Sequence, residues 1–109
     1  MRTYAVVLTP DAVSDLAAIA EYIERKSGYP ERALAYVRRL RERTEKLQTG
    51  PFRGRARDDI RPGLRVVPVA RSAVIAFDVD EEKGVVRVLN YFLGGRDYET
   101  LLRSRTEGE

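Results

Sequence analysis

Arginine is the residue type through which this chain could do chemistry. Its 109 residues include no histidine and no cysteine. The usual general base near neutral pH, the commonest metal ligand and any thiol nucleophile are therefore missing. Catalysis would fall to Arg, Lys, Tyr or carboxylates, and a zinc site would need carboxylates alone. Seventeen of the twenty cations are arginine; the lysines are Lys26, Lys46 and Lys83. Guanidinium suits bidentate contact with carboxylate or phosphate. Residues 32–57 carry nine cations against Glu42 and Glu45, whereas residues 58–109 carry eight against ten acids. The run from Arg38 to Arg43 reads either as a solvated helix face or as a docking surface for nucleic acid, ribosome or an acidic partner. Arg65 could pair with Asp58 or Asp59, or with an acid outside the chain. Arg96 and Asp97 read as a local ion pair capping a final helix. Tyr22, Tyr36 and Tyr91 sit on amphipathic elements and read as core rims.

Residues 63–95 organise the elements that must position these groups. Three runs rich in Val, Ile, Leu, Phe and Tyr alternate with short polar turns, the pattern of a three-strand antiparallel meander. Pro68 lacks a donor, which places its strand at an edge or its N–H side toward solvent. So small a sheet needs a cover, and the first half of the chain must supply it. Residues 2–9 read as a strand with Tyr4, Val6 and Leu8 on one face and Ala5 and Val7 on the other; apolar residues on both sides suggest a strand covered on both faces or lying within the sheet.

Thr9, Pro10 and Asp11 are N-cap, first-turn and dipole signals for a helix that Gly28 ends. Its stripe is Ala12, Leu16, Ile19, Ala20 and Ile23, with Asp15, Glu21 and Glu24 on the wetter side. A second helix starts at Pro30, buries Ala33, Val37, Leu40, Thr44 and Leu47, and stops at Gly50-Pro51. The short joint at Gly28-Tyr29-Pro30 predicts an antiparallel hairpin of helices. Residues 52–62 form a polar connector anchored by Phe52 and Ile60, with too few apolar residues to be an element. Residues 96–103 form a short last helix, and 104–109 a frayed tail. The expected fold is a single α+β domain over 1–109, ordered β-α-α-β-β-β with a short C-terminal helix. No apolar run is long enough to span a bilayer and no secretory h-region precedes the first strand, so a cytoplasmic protein without a membrane partner is expected. No metal or cofactor is expected.

Several short patterns, in order, carry a more specific signal. They are Asp15-Leu16, Ile19 and Tyr22-Ile23; Gly28, Ala33 and Tyr36; Leu47, Pro51 and Gly54; Arg61-Pro62-Gly63-Leu64-Arg65; and Val86, Val88-Leu89, Gly94 and Arg96-Asp97. Together they resemble the ParE branch of the ParE/RelE toxin superfamily, over about residues 4–102. The resemblance implies the toxin of a type II toxin–antitoxin pair with a helical hairpin packed on a small antiparallel sheet. It implies inhibition of DNA gyrase by binding, and neutralisation by a ParD-like antitoxin through which alone operator DNA is contacted. The antitoxin is expected at Leu16, Ile19, Ile23, Arg65 and Arg71, its helix buried in the groove between hairpin and sheet and its acids on the arginines. The target is expected at Arg96, Asp97 and Tyr98.

The RelE relatives cut ribosome-bound mRNA, which without a metal needs a positioned 2′-hydroxyl, cations on the phosphate and an acid for the leaving oxygen. Matched to that pattern, Arg65 and Arg96 are retained, and Tyr98 is the nearby candidate if the chain is a nuclease. The sheet arginine of those enzymes falls at Val74, their late tyrosine near Leu102, and there is no terminal histidine. The incomplete set favours the ParE reading. A RelE-like mRNA endoribonuclease, and a non-toxic binding module on the same fold, remain the alternatives.

Overall fold

The computed structural model describes residues 2–69, 73–94 and 98–107. A first strand, β1 (Ala5–Leu8), leads directly into α1 (Pro10–Ser27). The Thr9 hydroxyl accepts the Ala12 amide proton at 3.2 Å, and Pro10 and Asp11 occupy the first turn. Gly28 closes the helix at φ 76°, its N–H donating to the Glu24 carbonyl at 2.8 Å, a left-handed cap that glycine adopts without strain. The second helix, α2 (Pro30–Glu45), tightens into a 3-10 turn at Lys46–Gln48 before Gly50-Pro51, so the regular helix ends sooner than expected.

The remaining strands are β2 (Arg55–Ala56), β3 (Arg65–Val69), β4 (Ala73–Asp80) and β5 (Val85–Leu93), followed by α3 (Tyr98–Glu107). The sheet order is β1-β5-β4-β3-β2. The meander β3-β4-β5 is antiparallel as expected, but β1 lies parallel to β5, with Ala5 opposite Val85 and Leu8 opposite Val88, so the sheet is mixed. The α+β class is the one expected, and so is the element order apart from the added strand β2.

Three local expectations are corrected. First, β1 is an edge strand covered on one face: Tyr4, Val6 and Leu8 pack inward, while Ala5 and Val7 stay exposed. Its apolar outer face is not a sign of double cover. Second, the connector contains β2 and a 3-10 turn at Pro51–Arg53. Its buried anchors are Pro51 and Arg57; Phe52 is exposed, and Ile60 is half-buried as expected. Two residues of strand need no apolar pattern when backbone bonds to β3 hold them. Third, α3 reaches Glu107, into the segment expected as tail. Because β2 pairs only with Arg65 and Val66, Pro68 stands on the open edge of β3, where its missing N–H costs nothing.

The core has two parts, one on each face of the sheet. Between sheet and helical hairpin lie Tyr4, Ala12, Ile19, Leu40, Leu47, Val67, Ile75, Phe77, Val86, Val88 and Tyr91. On the opposite face α3 sets Leu102, Leu101 and Tyr98 over Leu64, Val66, Ala76, Leu89 and Phe92. β5 serves both faces by alternation, and the register shift at Ala76/Phe77 changes its phase: Val88 points to the hairpin, Leu89 to α3, and Tyr91, three residues after Val88, again to the hairpin. No described helix is long and apolar enough to cross a membrane.

Candidate functional site

Arg65 opens β3 opposite Phe77, and so lies on the hairpin side of the sheet. Its guanidinium donates from Nη1 to the carbonyls of Gly54 at 2.8 Å and Phe52 at 3.3 Å. It also stacks on the Phe52 ring, 5.0 Å from the centroid. The expected pairing with Asp58 or Asp59 is not made. Gly54 permits this arrangement: a Cβ there would come within 2.8 Å of the Phe77 ring and 3.1 Å of the Val66 carbonyl. Phe52 in turn meets Tyr4 edge-on at 6.3 Å, and Arg2 lies 4.7 Å over Tyr4. Arg65 thus ends an arginine–aromatic ladder along the sheet's rim.

Tyr98 lies on the other face. Its ring packs on Phe92 at 6.3 Å and its hydroxyl accepts a hydrogen bond from Arg57 Nη1 at 2.9 Å. The two described members of the nuclease set are therefore separated by the sheet and do not share a site. Arg71, Arg96 and Asp97 lie outside the described residues. Val74 is half-buried and Leu102 buried in the cluster under α3, each serving packing.

Arg57 escaped the sequence reading. It is 7% exposed, a cation taken almost wholly out of water. Its fork grips both Asp59 oxygens, Nε to Oδ1 at 3.0 Å and Nη2 to Oδ2 at 2.9 Å, while Nη1 also reaches Glu99 Oε1 at 2.7 Å. Its backbone N–H bonds to the Leu64 carbonyl at 2.8 Å. Arg103 adds a second cation on Asp59 Oδ2 at 3.3 Å. Hydrogen bonding to Asp59 and then Glu99 holds the Arg57 guanidinium charged more firmly than usual, and the bond from Arg57 holds Asp59 down at about 2. The node fastens connector to α3. Its one sequence signal is an Arg-x-Asp in a polar loop, which resembles many solvated pairs.

The hairpin side offers a groove between α1 and the end of β5. It has a volume of about 460 Å³ and is lined by Asp15, Ala18, Ile19, Tyr22, Arg25, Tyr91, Leu93 and Gly94. Ile19, buried in its floor, is one of the residues assigned to the antitoxin. Leu16 and Ile23 are half-buried against the same core. Tyr22, read as a core rim, is instead 42% exposed.

Asp15 closes the inner end of the groove. Its Oδ2 accepts from the Tyr91 backbone N–H at 3.0 Å and from Asn90 Nδ2 at 3.1 Å. Just before it, the Thr9 hydroxyl lies 3.0 Å from the carbonyls of both Val88 and Leu89. The start of α1 therefore locks the irregular part of β5, and Asp15 is not on the wetter side. Three residues after Ala12 and four before Ile19, it falls on the buried stripe; the spacing held that signal. Below, Tyr91 donates its hydroxyl to Thr44 at 2.8 Å, and Thr44 passes its own proton to the Leu40 carbonyl at 2.7 Å. Burial pushes the Tyr91 phenol above its ordinary pKa.

Residues 6–98 match the model of the family described as the ParE toxin of the type II toxin–antitoxin system parDE. No curated protein gives a significant sequence match. Among solved structures, the chromosomal ParDE toxin–antitoxin system from P. aeruginosa is similar, with a TM-score of 0.73 and 26% identity, covering 84% of this chain and 97% of that one. The toxin–antitoxin complex RelBE2 from Mycobacterium tuberculosis shares the fold at a TM-score of 0.57 and 20% identity, covering 84% and 98% of the two chains. With the family match running from β1 to the first residue of α3, this chain belongs to the ParE toxin family of type II toxin–antitoxin systems.

Proposed function

We propose that this ParE-family toxin acts in the cytoplasm by binding DNA gyrase, not by hydrolysis, and is silenced by a ParD-like antitoxin. The observation that carries the binding reading is the separation of Arg65 and Tyr98 by the sheet, each held by its own structural partners. Metal-free RNA cleavage needs its cations and its acid on one bond, and the placement of these two on opposite faces supports binding over cleavage.

The antitoxin fits the groove between α1 and β5. The groove is deep enough for one or two large apolar side chains, and Ile19, Leu93 and the Tyr22 ring offer them an apolar wall. An amphipathic helix laid along α1 would place anchors there at helical spacing, beside Leu16 and Ile23. Arg65 and Arg71 would meet its acids. Arg96, Asp97 and Tyr98, at the junction of β5 and α3, are proposed as the target contact.

The purified toxin should inhibit gyrase supercoiling while leaving mRNA on translating ribosomes intact. Unaffected supercoiling at excess toxin, together with cleavage lost in Arg65→Ala, would replace this reading with the RNase one. Overexpression without growth arrest would point to a binding module without toxicity. A Tyr22→Glu variant, altered at an exposed wall of the groove, should lose co-purification with the product of the neighbouring antitoxin gene while keeping a cooperative melt.

A further inference from the structure

Four cations line one flank of the second helix and its continuation. Arg32, Arg39, Arg43 and Lys46 follow one another at spacings of seven, four and three residues. At 100° per residue they fall within an arc of about 60°, and at 1.5 Å per residue they span about 20 Å. Arg32, Arg39 and Lys46 are exposed and Arg43 is half-exposed. Among the described residues none of the four has a carboxylate within ion-pair distance. Four arginines elsewhere do have one: Arg57 and Arg103 with Asp59, and Arg61 and Arg87 with Asp78. Glu31, Glu42 and Glu45 occupy the adjoining arc together with Arg38, leaving the flank itself of one sign.

At its head, the Arg32 guanidinium lies 5.0 Å over the ring of Tyr29, which is 52% exposed. That stacking orders the first cation without neutralising it. The remaining helix arginine, Arg41, lies on the other flank, lining a small cavity with Val6, Leu8, Thr44 and Tyr91.

We infer that this flank docks on the phosphate backbone of duplex DNA, without reading its sequence. A rigid, convex helix with a row of cations matches the groove edge of a stiff duplex, and guanidinium meets phosphate in a fixed fork. A single strand is instead taken in a channel with successive aromatic platforms, and here Tyr29 is the exposed aromatic in reach. The inference goes beyond the reading in which DNA is held through the antitoxin alone, and stands independently of it.

The test is fluorescence anisotropy of a labelled mixed-sequence DNA duplex with the full chain over a salt series. Four phosphate contacts predict a log–log slope near −3.6, so affinity should fall on the order of a hundredfold between about 50 and about 200 mM salt. The double variant Arg39→Glu/Arg43→Glu should lose at least about tenfold in affinity and about two units of slope. The neutral pair Arg39→Gln/Arg43→Gln should lose less, and guards against a folding artefact. Arg87→Gln, whose guanidinium belongs to Asp78, should bind like the parent. Absence of wild-type binding at about 50 mM salt, or an unchanged slope in both double variants, would overturn the inference. So would equal or tighter binding of single-stranded RNA or of poly-glutamate. Loss of antitoxin co-purification by the same variants would place the flank in the antitoxin interface and overturn it as well.

Discussion

Toward the helical hairpin the sheet presents Val67, Ile75, Phe77, Val86, Val88 and Tyr91, met by two helices of four to five turns. Toward α3 it presents Leu64, Val66, Ala76, Leu89 and Phe92, met by one shorter helix and a buried arginine. The first contact is apolar and extensive, with its polar atoms paired locally, as Thr44 is with Tyr91 and Leu40. The second is small, and its hold on α3 passes through Arg57, Asp59, Glu99 and Arg103. A large apolar face resists changes of charge and pH, whereas a small face closed by an ionic node does not. Any conformational freedom in this protein should therefore appear first on the α3 side.

Emptying the larger face should have the greatest effect. Phe77 is fully buried, and the end of its ring abuts Gly54. Phe77→Ala should cost about 3–5 kcal/mol, measured by urea denaturation, because the surrounding strands cannot collapse onto the cavity. A loss below about 1 kcal/mol would mean that the face is loosely packed and the contrast false. On the smaller face, Arg57→Ala should act locally. It removes the grip on Asp59, Glu99 and the Tyr98 hydroxyl together. Amides of α3 should then exchange at least about tenfold faster while those of α1 and β5 keep their protection. Uniform acceleration across all elements would show that the two faces unfold as one.

What was legible divides along the same line. The hairpin announced itself through Thr9, Pro10, Gly28 and Pro30, each a local chemical reason to start or stop a helix, and through stripes that recur at helical spacing. The meander followed from β-branched runs between turns. Both signals lie within short windows of sequence. The parallel pairing of β1 did not, because Ala5 finds Val85 across the whole chain. Nor did β2, whose two exposed residues are held by backbone bonds to β3 and carry no apolar pattern. Arg57 was hidden for a related reason. A buried arginine in a polar loop looks like its solvated neighbours until Glu99, 42 residues later, is brought beside it. On α1, Ile19 falls in the core, where its visible helical stripe put it. The groove it floors depends on Leu93 and Gly94, which no spacing links to α1.

The finest test of the contrast is titration of the node. Asp59 has its folded-state pKa lowered from 3.8 to about 2, chiefly by the hydrogen bonds from Arg57. A carboxylate with a depressed pKa contributes stability in full above its unfolded value and loses it as pH falls through the folded one. The contribution should therefore be intact above about pH 4 and fade toward about pH 2. Arg57 keeps its charge throughout, so protonation of Asp59 leaves a buried cation with one carboxylate partner fewer. Protection of α3 amides, corrected for intrinsic exchange, should decline across that window relative to protection of α1. In Asp59→Asn the α3 amides should begin less protected and the relative decline should flatten, because the titrating group is gone. If the parent and Asp59→Asn lose α3 protection in parallel as pH falls, the clasp belongs to other acids, and Asp59 is only a surface partner of Arg103.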